Sequence, residues 1–260
     1  MDILYLVGDK NVSDFEDLKL SLRSLDMYGK GVDRVFMCGF IPSFISDNVI
    51  KIPFEILPFE DLQEKARNIY KQILYAIEQT DIGMYDEGEF LVSMDDHYIT
   101  KPTDFGDNYP FYVKDYVNRG CRHMLPEKFE DGFKSTNYQK FLVDCCGYLK
   151  EIGLPFYNFC PHRNMHMNRY LIEELSDVNK DIFDNKRPVE AFCLINNYRL
   201  SKNPDLNYEI NIDFKTDNQK RLIKYINSGG NFFSINDFKF GDKMHKFLYS
   251  LFPFSSKYEK

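Results

Sequence analysis

The chain has 260 residues, 43% of them apolar, with 33 lysines and arginines against 40 acids and a formal charge of −7. Without a Lys/Arg-rich run it has no cation cluster to displace counterions from a nucleic-acid backbone, which disfavours nucleic acid as a partner and leaves only a local basic cleft as a route to it. Apolar runs such as Phe90-Leu91-Val92 fall far short of the roughly 20 residues of a membrane span, so no transmembrane segment is expected.

Ile3 to Val7 is an apolar run stopped by Gly8-Asp9, the pattern of a buried strand. It lacks the basic start and cleavage site of a secretory signal, and the expected location is cytoplasmic. Ser13 and Glu16 have capping-box spacing, Leu18, Leu22 and Leu25 recur at helical intervals, and Gly29 stands where a left-handed cap would end the helix, which predicts a helix over Asp14 to Tyr28. Arg34 to Cys38 and Val49 to Ile52 read as further strands, Glu60 to Gln79 as the longest amphipathic helix, and Phe90 to Met94 as another central strand. That alternation defines an α/β domain built on a largely parallel sheet. The later half is more irregular: helices over Asn137 to Ile152 and Arg169 to Leu175, a strand over Tyr208 to Phe214, a helix capped by Thr216, a strand over Phe232 to Ile235, and a last helix from Asp242 to Leu251. Six cysteines without a C-x-x-C spacing point to buried thiols rather than a zinc ribbon or redox pair.

Parallel sheets place ligands at the carboxyl ends of their strands, and there the Phe90 to Met94 run delivers Asp95-Asp96-His97. Adjacent carboxylates beside a sheet edge are costly unless a cation lies among them, so a divalent metal, Mn²⁺ or Mg²⁺, is one reading, with His97 as ligand or orienting group; an ordinary acidic turn is the other. His162 and His166 have i, i+4 spacing, but Pro161 implies a loop entry and argues against a helical zinc pair. Arg23 is either a boundary arginine or a phosphate clamp, and Asn236-Asp237 forms a second acidic turn after a strand.

Four segments occur in order along nearly the whole chain: Leu20 to Leu25 with Val32 to Cys38 and Ile41-Pro42-Ser43-Phe44; Phe90 to Thr100 with Lys101-Pro102; His162 ahead of Glu173-Glu174-Leu175; and Ile235-Asn236-Asp237 with Leu251-Phe252-Pro253, Ser256, Tyr258 and Glu259. Together they resemble the Stealth family of sugar-phosphate transferases and related GT-A-like bacterial and phage glycosyltransferases. Met94 stands where that family has asparagine before its acidic pair, and Phe44 where it has tryptophan.

The resemblance implies a GT-A-like, Rossmann-type domain over residues 1–260, with 1–104 binding a nucleotide-sugar and 105–260 forming the acceptor side. It implies a metal-dependent glycosyltransferase that moves a sugar from a UDP-sugar donor to a hydroxyl acceptor, in glycan or capsular polysaccharide synthesis. Asp95, Asp96 and His97 would hold the metal; Val7, Gly8, Asp9, Arg23, Arg169 and Asn236 would meet the donor; His162 or Asp237 would be the acceptor's base. The alternatives are transfer of sugar-1-phosphate with release of UMP, glycosylation of a modified DNA base, and a non-catalytic nucleotide- or carbohydrate-binding protein.

Overall fold

The computed structural model describes residues 1–8, 15–106, 109, 111–113, 137–157, 159, 163–178, 189–206, 208–210, 214–216, 218–235 and 242–260. In chain order these form β1 (Ile3–Val7), α1 (Glu16–Tyr28), β2 (Gly29–Lys30), β3 (Val35–Gly39), β4 (Val49–Pro53), α2 (Leu62–Gln79), β5 (Glu89–Met94), β6 (His97–Ile99), β7 (Thr103–Asp104) and β8 (Phe111–Val113). There follow α3 (Asn137–Glu151), β9 (Met165–Asn168), α4 (Arg169–Val178), α5 (Ala191–Lys202), β10 (Tyr208–Ile210), α6 (Gln219–Asn227), β11 (Phe232–Ser234) and α7 (Asp242–Leu251).

The main sheet has five strands in the order β4-β3-β1-β5-β9. The pairs β4–β3, β3–β1 and β1–β5 are parallel, and β9 runs antiparallel along β5. This is the expected α/β architecture with a largely parallel sheet flanked by helices. Every residue of β1 and β3 is buried because both faces are covered, so their sequences are continuous apolar runs rather than alternating ones. Leu4, Leu6, Phe36, Cys38, Phe90 and Val92 face a core built with α2, α3 and α5, while Ile3, Tyr5, Val7, Val35, Met37 and Leu91 face Leu18, Leu22 and Leu25 of α1. The opposite side of α1 is also covered: Leu20 joins Tyr98, Phe233, Leu248 and Phe252 in a third cluster made with β6, β11 and α7. Among the described residues no helix is long and apolar enough to cross a membrane.

Local details depart from the sequence reading for physical reasons. Helix α1 opens at Glu16, after Phe15 in left-handed backbone (φ 51) and with no side-chain cap; Asp9, Ser13 and Asp14 lie outside the described residues. Gly29 is extended rather than left-handed, because the chain passes straight into β2, and a Cβ there would stand 2.7 Å from the Leu25 carbonyl oxygen. Thr216 does not cap α6; Asn218 does, its side chain accepting from the Arg221 N–H, while the Thr216 hydroxyl accepts from the Asn218 N–H. The strand expected over Tyr208 to Phe214 is described as β10, paired with β8, and as Phe214, whose carbonyl accepts from the Ser234 N–H.

Arg23 leaves α1 toward the carboxyl-terminal segment. Its Nε and Nη2 donate to both oxygens of Glu259, at 2.9 and 2.8 Å, and both side chains are nearly buried. Burial alone would raise the Glu259 carboxyl, but Arg23 and the Ser256 N–H outweigh it and hold the group below the usual glutamate range. Removing one member of such a pair strands the other, so Arg23→Ala should lower stability by about 3 kcal/mol in urea denaturation. A depressed carboxylate stabilises the fold fully above its unfolded value and loses that contribution as pH falls through its folded one. The stability gap between the wild type and Glu259→Gln should therefore narrow below about pH 4.

Candidate functional site

Strands β1, β3 and β4 build the sheet in one direction and β5 is added on the other side of β1, so the order reverses between β1 and β5. Crevices of open α/β sheets form at such a switch point, outside the carboxyl ends of the strands. Here β1 ends at Val7-Gly8 and β5 ends at Asp95-Asp96, and Leu6 is the register partner of Met94. Val7 is buried, whereas Gly8 is exposed and a Cβ on it would meet nothing within 4 Å. The ends of β1 and β3 are fixed by Gln72, whose Nε2 donates to the Val7 and Cys38 carbonyls, and by Gly39, where φ is +124 and a Cβ would strike the Val7 oxygen at 2.1 Å. On the β3 side, Phe15 and Phe40 stack at 5.2 Å.

The acidic turn is clamped from behind by α1. The Ser21 hydroxyl donates to the His97 carbonyl at 2.6 Å and the Ser24 hydroxyl accepts from the Ile99 N–H at 3.1 Å, so two serines act on β6 where a neighbouring strand would. Strand β11 pairs β6 on its other side, with Ser234 opposite His97. This explains buried serines in the middle of a helix: they satisfy main-chain groups of an edge strand.

His97 closes the turn. Its Nδ1 accepts from the Met94 N–H at 3.3 Å, which leaves the ring proton on Nε2, 3.8 Å from Asp96 Oδ1. The ring is buried, and desolvation, then Lys215 and Arg163, push its pKa down to about 3. His97 Nδ1 thus closes the turn, and its Nε2 faces Asp96 at a distance too long for a hydrogen bond. The other carboxylate oxygen, Asp96 Oδ2, faces Lys215 Nζ at 3.9 Å. Asp95 is half-buried beside it, and burial with the charges of Asp17, Asp96 and Asp95 drives the Tyr98 phenol well above its usual range. Arg163 is buried with its guanidinium 4.4 Å from the centre of the Phe232 ring. Ser234 Oγ is buried without a hydrogen-bond partner among the described residues.

Other candidates go elsewhere. Arg23 is held by Glu259, as described above. Arg169 sits at the amino end of β5, where its Nη1 donates to the Thr80 and Ile82 carbonyls and its Nε to Glu173. His166 lies on strand β9 rather than a helix, with Nε2 2.7 Å from the Tyr109 carbonyl. His162, Asn236 and Asp237 lie outside the described residues. Lys215 and Arg163 were missed in the sequence because neither has a motif around it; what marks them is their effect on His97, from 118 and 66 residues further along the chain.

Among the described residues no group of three or more His, Cys, Asp or Glu is gathered as a ligand set. Two adjacent carboxylates instead fit an ion held by one or two protein oxygens and completed by phosphate and water, the usual state of Mg²⁺ at nucleotide sites. No protein-family model matches the chain, and no curated protein matches it significantly. The class defined by fold and site is an α/β protein with an acidic turn at the switch point of a largely parallel sheet.

A buried imidazole at about 3 stays neutral from pH 8 to 5, so the His97 Cε1–H resonance should be flat over that range. The unfolded chain takes up a proton near pH 6.5 that the fold refuses, so this contribution to stability falls as pH drops from about 6.5 toward 3. Relative to His97→Asn, the wild type should lose stability between about pH 6.5 and 4.5 in paired denaturation curves.

Proposed function

We propose that the chain is a metal-dependent transferase that takes a UDP-sugar and passes its glycosyl group to a hydroxyl of a glycan acceptor. The observation that carries the reading is the Asp95-Asp96 turn at the end of β5, beside the open Gly8 at the end of β1. A diphosphate leaving group must have its charge neutralised as the sugar departs, and carboxylates on a rigid turn beside an approachable backbone suit that task. The resemblance to Stealth and GT-A-like transferases supports the same donor class.

Asp95 and Asp96 would hold Mn²⁺ or Mg²⁺, which when bound offsets the diphosphate charge and orients the donor. His97 closes the turn through the Met94 N–H, and Ser21 and Ser24 tie the His97 carbonyl and the Ile99 N–H of β6 to α1. Gly8 leaves room for the nucleotide against the main chain. The acceptor base is drawn from His162 and Asp237. Both lie outside the described residues. Arg23 and Arg169, committed to Glu259 and to the Thr80 and Ile82 carbonyls, have no part in the proposal.

Calorimetry with UDP should give binding that is at least tenfold tighter with Mn²⁺ than without it, and Asp95→Asn or Asp96→Asn should abolish the difference. Binding of UDP that ignores both Mn²⁺ and these substitutions would reduce the turn to a structural feature. With a UDP-sugar and acceptor the released nucleotide should be UDP; UMP alone would transfer the assignment to sugar-1-phosphate chemistry.

A further inference from the structure

Lys215 sits at a fixed point of the backbone. The Phe214 carbonyl accepts from the Ser234 N–H at 3.0 Å and the Thr216 N–H donates to the Ser234 carbonyl at 3.2 Å, so the residues on both sides of Lys215 are tied to β11. Phe214 also stacks on Tyr225, with ring centres 3.9 Å apart and 4° between the planes. From this anchor the side chain reaches Asp96 while remaining partly open to solvent, 31% exposed against 15% for Asp96. Its 3.9 Å separation from Oδ2 is an ion pair too long for a hydrogen bond. A loose pair of this kind can be exchanged for a better partner without stranding a desolvated charge.

We propose that Lys215 is the residue that anchors the donor's phosphates and, before the donor arrives, the counter-charge that guards the metal position. The inference rests on the nucleotide-sugar reading above. A divalent cation at Asp96 and an ammonium group about 4 Å from the same carboxylate repel each other in a half-buried site. With a cation bound there, Lys215 would give up Asp96. The nearest new negative charge is the diphosphate that completes the cation's coordination. A lysine serves this exchange better than an arginine would, because it is a point charge on a flexible stem and is not locked into a bidentate grip on one carboxylate. Arg163, buried against Phe232, supplies a fixed positive field and lacks that freedom.

The two roles predict opposite effects of one substitution, which a merely structural lysine would not produce. In Lys215→Met, Mn²⁺ alone should bind at least threefold tighter than in the wild type, read from the electron paramagnetic resonance signal of free Mn²⁺. In the same variant UDP at saturating Mn²⁺ should bind at least tenfold more weakly, read by calorimetry. Lys215→Arg should keep UDP affinity within threefold of the wild type, and both variants should melt within about 2 °C of it, a shift corresponding to a small change in stability. Unchanged UDP affinity in Lys215→Met, with the wild type binding UDP and Asp96→Asn failing to, would overturn the role of Lys215 alone. Equal weakening of Mn²⁺ and UDP in both variants with a lowered melting temperature would overturn it as well, as a sign of lost packing. A wild type that binds no UDP at saturating Mn²⁺ would remove the reading beneath it and this inference together.

Discussion

Strands that run in parallel hand the chain over at the same end of the sheet, and a reversal in the order of their addition leaves two adjacent ends whose onward chains diverge. Between β1 and β5 this constraint sets two strand ends side by side at the switch point, where open α/β sheets form crevices. The rest of the site follows from it. The helix after β1, α1, packs against one face of the sheet, and the turn after β5 leads into β6 beside it. The turn product, β6, has β11 on one side and a helix on the other, so its remaining main-chain groups need side-chain partners. Ser21 and Ser24 are those partners, holding the His97 carbonyl and the Ile99 N–H just after the acidic turn.

The electrostatics of that turn run against intuition. An imidazole next to two aspartates would ordinarily be easier to protonate, yet His97 is held at about 3. Burial is the main cause, and the charges that add to it are the cations Lys215 and Arg163 rather than the neighbouring acids. Charges about 4 Å apart interact by about 4 kcal/mol at an effective dielectric near 20, so one ammonium at that distance matters as much as a carboxylate does. The turn thus carries its own counter-charge, which lets two carboxylates lie side by side in a folded chain before any ligand arrives.

What could be read from the sequence was what local periodicity controls. The central strands were legible because a strand covered on both faces is an uninterrupted apolar run, and α2 because one side of it is exposed. Helix α5 escaped for the opposite reason: all its residues from Ala191 to Leu200 are buried, so no polar stripe reveals its period. Strand β9 is four residues long and includes a histidine and an asparagine, too little for a strand pattern. The acidic turn was legible because it directly follows a central strand. Arg23 was not, since its partner Glu259 is 236 residues away and no spacing within α1 can indicate it. Lys215 was hidden in the same way, being brought to Asp96 only by the ties between its neighbours and β11.

A second charged cluster, at the amino end of the same sheet, shows why composition alone does not identify a site. There Glu89 takes two hydrogen bonds from Arg199, both at 2.9 Å, and a third from Asn168 at 2.8 Å, while Arg169 is spent on two carbonyls and on Glu173. Burial would raise the Glu89 carboxyl, and His166, Arg199 and Asn168 together keep it below the usual range. A ligand entering there would have to break several short, charge-assisted bonds and leave buried charges without partners, which costs far more than one phosphate contact returns. At the other end Asp96 has a single long ion pair to Lys215 at 3.9 Å and faces the neutral His97 ring at 3.8 Å, beside a glycine facing open space. Both clusters contain acids, bases and a histidine. The cluster at the switch point is held by one long ion pair rather than several short ones, so exchanging that pair costs the fold less.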